Sequence, residues 1–132
     1  MMSFSKCSRL NKINIPPTVK TIGEGAFWQC KSLKKKTLPK NLKSIGFSAF
    51  ADCKKLSKVI INNKKKAPKI SKDVVNSETG VYKDAFKNTK KGIKFYVKNK
   101  KVAKSLKEQL KGSGVRNAKI LIGKKVVYKN VK

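Results

Sequence analysis

Apolar and polar positions in the first half of the chain return on a fixed 23-residue register. Phe4, Phe27 and Phe50 share one place, Cys7, Cys30 and Cys53 a second, and Leu10, Leu33 and Leu56 a third. Ile15, Leu38 and Ile61 recur next, with Pro16 and Pro39 behind the first two. Val19 and Leu42 follow, then Ile22-Gly23 and Ile45-Gly46, then Ala26-Phe27 and Ala49-Phe50. A unit this short cannot bury its own apolar side chains. Stacked units place equivalent side chains on one another and share a continuous core. Alternating apolar positions over 10–15 and 56–61 predict a strand in each unit, and Pro16 and Pro39 close it where a missing N–H is tolerated. Val19 to Ile22 and Leu42 to Ile45 predict a second, short strand. Gly23 and Gly46 are expected to turn the chain, and the Ala-Phe pair leads into a short helical turn ending near the cysteine. Successive coils should lie ~4.8 Å apart, the spacing of paired strands.

After Ile61 the register breaks. Residues 62–79, with Lys64-Lys65-Lys66 and Pro68, read as an inserted loop. Ala85-Phe86 then restores the Ala-Phe pair, well beyond the place the period assigns after Phe50, with Thr89 where cysteine would stand. Ile93, Phe95 and Val97 alternate as in a half-buried strand. Val102, Leu106 and Leu110 recur at helical spacing with Ala103 beside them, and Gly112-Ser113-Gly114 stops that helix. Residues 118–122 and 126–131 predict two last strands around a turn at Gly123-Lys124. The organisation expected is repeats over 1–61, an inserted loop within a degenerate repeat over 62–84, and a last degenerate repeat with a C-terminal cap over 85–132, all one continuous domain.

The run Ile15-Pro16-x-x-Val19-x-x-Ile22-Gly23-x-x-Ala26-Phe27-x-x-Cys30-x-x-Leu33 resembles the BspA-like leucine-rich repeat, and a second unit repeats it from Leu38-Pro39 to Cys53 and Leu56. Residues 85–132 resemble the cap that ends many such arrays. The resemblance implies an α/β leucine-rich-repeat fold: a short right-handed solenoid, mainly β, closed by an α/β C-terminal cap with one helix. It also implies a bacterial surface or secreted protein that adheres to host proteins or other cells without catalysis. The repeat begins at Met1 with no cap before it, and no signal peptide opens the chain. The expectation is therefore the terminal piece of a longer exported protein, able to self-associate through an uncapped N-terminal edge.

Composition narrows the chemistry. Of the 132 residues, 35 are Lys or Arg and 6 are Asp or Glu, a formal net charge of +29. All the cations but Arg9 and Arg116 are lysine. Histidine is absent, which removes Ser–His and Cys–His nucleophile pairs and His-ligated metals. The few acids form no motif, so neither an enzyme nor a bound cofactor is expected. No apolar stretch is long enough to span a membrane. One cysteine per coil lacks the paired spacing of zinc sites, which leaves a core ladder of thiols, or a disulfide between neighbouring coils, as the readings of Cys7, Cys30 and Cys53.

The period turns lysines into ladders. Lys12, Lys35 and Lys58 share one outward position, and Lys20 and Lys43 another. Aligned like charges repel unless an anion matches them. These five lysines are the candidate contacts for anionic polysaccharides or host proteins, against the plainer reading of lysine as a solubilising surface. Trp28, the one tryptophan, is a candidate partner contact, or packs over the open edge. The alternatives are a nucleic-acid-binding basic protein and a purely structural cap. Lysine in place of arginine argues against sequence-specific nucleic-acid binding. Lys36 stands at an inward position, where snorkelling of its ammonium to water, or a local shift of the strand, is expected.

Overall fold

A computed structural model of the chain describes residues 14–72 and 84–132. Phe4, Cys7, Lys12 and the expected N-terminal edge lie outside the described residues, as does most of the strand expected over 10–15. The described residues form two sheets and one helix. β1 (Thr21–Ile22), β3 (Ser44–Ile45) and β5 (Lys69–Ile70) make a three-stranded parallel sheet in that order. β2 (Lys35–Leu38), β4 (Lys58–Ile61), β6 (Lys94–Val97), β7 (Ala118–Ile122) and β8 (Lys125–Val131) make the other. The first four strands of this second sheet run parallel and β8 runs antiparallel to β7. From β1 to β6 the chain alternates between the sheets, and β7 and β8 then both join the second.

The register follows the period. Thr21 pairs with Ser44 and Lys35 with Lys58, each one full repeat along. Inward positions alternate with outward ones, so Leu38 and Ile61 sit in the core beside Ile22 and Ile45. Between the sheets runs a stack of phenylalanines. The Phe27 and Phe50 rings lie parallel with centroids 5.1 Å apart, and Phe50 and Phe86 likewise at 5.3 Å. Phe95 closes the stack edge-on to Phe86 at 5.2 Å. The Ala-Phe segments are not a regular helix. They are consecutive turns, such as Ala26 N to Gly23 O and Cys30 N to Phe27 O, and they bond from coil to coil through Phe27 N to Ala49 O and Phe50 N to Ala85 O.

One expectation gains a different cause and two need correction. First, Gly46 opens a turn, its carbonyl accepting from Ala49 N at 3.2 Å, but without a left-handed φ. A Cβ there would lie 2.8 Å from the Glu24 backbone nitrogen, so the glycine is needed because neighbouring coils approach that closely. The left-handed residues of the Ala-Phe turns are Gly25 and Ser48, and again Gln29, Asp52 and Asn88. Second, residues 62–72 are not a plain loop. Ile70 is buried and pairs with Ile45, close to one repeat before it, so most of the surplus in this coil falls later in the sequence. Third, Lys36 neither snorkels nor shifts its strand. It pairs in register with Val59, it is 2 % exposed, and its Nζ lies 5.2 Å from the Phe27 ring centroid. The aromatic face gives the cation a partner that water would otherwise supply.

α1 (Lys100–Leu110) follows β6. Asn99 caps it by accepting from Val102 N at 2.9 Å. Its apolar stripe of Val102, Ala103, Leu106 and Leu110 is buried. Its polar side meets the free edge of β5, where Ser105 Oγ accepts from Ala67 N and Gln109 Oε1 from Ile70 N, both at 3.0 Å. The helix stands where the next strand of the three-stranded sheet would lie.

Candidate functional site

The expected lysine positions fall into two groups. Lys35 and Lys58 are exposed neighbours on β2 and β4. The same register continues from Lys58 to Lys94 on β6 and from Lys94 to Lys119 on β7. Four adjacent strands therefore carry a lysine at one outward position, spaced by the ~4.8 Å of strand pairing. Lys94 and Lys119 are half-buried. None of the five strands carries an acidic residue. Two residues further along each strand, on the same outward face, lies a second row: Thr37, Ile60, Tyr96 and Leu121. Thr37 is exposed, Ile60 and Tyr96 are half-buried, and Leu121 is buried. A strip of cations thus borders a strip that is largely apolar.

Lys20 and Lys43 belong to the other side. They immediately precede β1 and β3, both are exposed, and the Lys20 carbonyl accepts from Lys43 N at 2.7 Å. Lys43 also lines a cleft of ≈ 670 Å³ with Lys40, Lys64, Lys65 and Lys66. In the sequence that triple-lysine run reads only as part of a loop. Lys94 and Lys119 escape sequence reasoning because the spacing from Lys58 to Lys94, and again from Lys94 to Lys119, departs from the period. The signal available is their phase: each stands just before a run of three apolar or aromatic residues, as Lys58 does.

Trp28 is half-buried, and its Nε1 donates to Asp52 Oδ2 at 3.0 Å. Asp52 also accepts from Asn88 Nδ2 at 2.7 Å, so one carboxylate ties three successive coils together. Of the acids, Asp52 is spent in this way and Glu108 pairs with Lys111 at 3.2 Å. Cys30 and Cys53 are buried thiols, not a disulfide. Cys53 Sγ donates to Phe27 O at 2.9 Å. Its bond with the Cys30 thiol, then burial, push the Cys53 thiol far above the ordinary range and hold it protonated. Thr89 takes the cysteine's place in the next coil and donates to Phe86 O at 2.9 Å. Among the described residues no three Cys, Asp or Glu gather as a metal site would require.

A family model for the BspA type leucine rich repeat region matches residues 1–107, in six copies. The chain belongs to this family. No curated protein and no solved structure matches it. The residues matched to the BspA-type repeat include Lys35, Lys58 and Lys94, whereas Lys119 and the strands β7 and β8 lie beyond them. The fourth of these lysines is thus supplied by the segment that follows the matched residues. No helix among the described residues of this BspA-type chain is long and apolar enough to cross a membrane.

Proposed function

We propose that this BspA-type chain is a non-catalytic binding and adhesion module of a bacterial surface or secreted protein. In this reading it is a right-handed solenoid, with repeats over 1–61 and an insertion within 62–84. Residues 85–132 form its last repeat and cap. Its ligands are anionic glycans or acidic surfaces of host proteins, engaged through the lysine ladder. The observation that supports this reading is the unbroken register of Lys35, Lys58, Lys94 and Lys119 on strands that carry no acid. Aligned like charges destabilise a sheet, and an anion laid across them removes that cost while releasing counterions.

The test is binding of the chain to acidic glycans and to duplex DNA across a salt series, beside a variant with all four ladder lysines changed to serine. Binding to a glycan class that persists at ~150 mM salt and falls with the variant supports the module. Equal, salt-erased binding to every polyanion, unchanged in the variant, refutes it and returns the charge to a solubilising role.

A further inference from the structure

We infer that the ladder takes a linear acidic polysaccharide with one acid group per sugar, laid across the strands so that its acid groups meet the lysines and its rings pack on Ile60 and Tyr96 of the neighbouring row. This inference rests on the proposed anion-binding role of the same face.

Three features carry it. The first is dimension. The cations form a single row, one per strand at ~4.8 Å, over four strands. A duplex presents a charge every ~1.7 Å of its axis and a bilayer presents a plane, so neither is matched to one sparse row. The second is the adjoining row. Ile60 and Tyr96 stand two residues after Lys58 and Lys94, on the same face of the sheet and half-buried. A bare polyphosphate has nothing to place on them. A sugar acid has both a carboxylate or sulfate and a face of C–H groups that packs on an aromatic or aliphatic side chain. The third is preorganisation. Lys94 and Lys119 are half-buried, so they have less freedom to lose on binding than fully extended side chains.

The experiment is calorimetric titration at ~150 mM salt with oligouronates of one to six sugars and with linear polyphosphates of the same charge number. Oligouronate affinity should climb with each sugar up to four and then level. Changing Lys94 and Lys119 to serine should move that plateau to two sugars. Tyr96→Thr, which installs the side chain already present at the equivalent Thr37, should weaken oligouronates by about 2- to 10-fold, the loss of one ring contact, and leave polyphosphate unchanged. Ile60→Thr repeats this test at a second position should the tyrosine variant fold poorly. Equal affinity for polyphosphate and oligouronate, with both threonine variants silent, overturns the glycan assignment while keeping an anion-binding ladder. Absence of binding to either ligand overturns the anion-binding role itself, and the inference with it.

Discussion

Phe50 is the middle ring of the stack, and its replacement tests whether the coils hold together through that stack. The side chain is fully buried and lies parallel to Phe27 on one side and Phe86 on the other. Burial of a phenylalanine removes about 200 Å² from water, worth about 5 kcal/mol at ~25 cal/mol per Å². Phe50→Ala keeps only a methyl group of this and leaves a cavity, so a cost of about 3–5 kcal/mol is expected. Against a total stability of about 5–15 kcal/mol, that is a large share. Phe50→Leu keeps much of the volume but loses both stacked contacts, for about 1–3 kcal/mol. The assay is urea unfolding followed by Trp28 fluorescence and by far-ultraviolet circular dichroism. Trp28 reports on the coil before Phe50, while dichroism reports on all the strands and the helix. Because each coil touches only its neighbours, weakening the middle contact should separate the two curves, with the fluorescence change first. A double-mutant cycle of Phe50→Leu with Phe86→Leu should give a coupling of about 0.5–1.5 kcal/mol. A cost below ~1 kcal/mol for Phe50→Ala, with coincident curves, would refute the idea that the stack joins the coils.

Four further outcomes are expected. Asp52→Ala should cost about 1–3 kcal/mol in urea unfolding, since it strands the Trp28 indole and the Asn88 amide that both bond to this carboxylate; a neutral result would show that these bonds do not hold the coils. Gly46→Ala should destabilise although its φ lies outside the left-handed region, because a Cβ there meets the Glu24 backbone at 2.8 Å; an unchanged melting temperature would mean the coils can separate at no cost. The Cys53 thiol has its pKa raised in the folded state, so above the unfolded value of about 8.5 the unfolded chain releases a proton that the folded chain keeps, and stability should fall by up to ~1.4 kcal/mol per pH unit. That slope, measured under reductant between about pH 8.5 and 10, should be reduced in Cys53→Ser; equal slopes would remove the thiol as its source. Lys58→Gln removes two in-register like-charge neighbours, Lys35 and Lys94, and should raise stability by up to about 1 kcal/mol at low salt, a gain that vanishes near ~1 M salt, where the screening length is about 3 Å.

Most of the fold can be read from the chain because stacking forces equivalent residues into equivalent places. The phenylalanine period yields the ring stack, the alternation around Val59 and Phe95 yields β4 and β6, and the spacing of Val102, Leu106 and Leu110 yields α1. What escapes is of two kinds. Pairings across the irregular coil are hidden, since Lys94 sits well over one period beyond Lys58 and only the folded register aligns them. The ladder therefore looks shorter and more N-terminal than its described rungs. Contacts between side chains of unlike type are also hidden. Trp28, Asp52 and Asn88 share no pattern in the sequence; they meet because coils stack. Lys36 breaks the apolar pattern, and nothing near it in the chain signals that an aromatic ring receives it. Gly46 is visible as a glycine, but its cause is distance between backbones, which no single repeat contains.

The two sheets end in different ways at the same end of the fold. α1 turns side-chain acceptors onto Ile70 N of β5 and onto Ala67 N just before it, while β8 reverses direction against β7. Each arrangement occupies the edge on which a further parallel strand of its sheet would pair. Neither meets β1 to β4, so a unit duplicated or lost by recombination ahead of them leaves both in place. Each such event adds or removes one ring from the aromatic column and one step from the charged row. The degree of polymerisation is thus a variable that inheritance can adjust in whole numbers, without redesigning any part of the molecule.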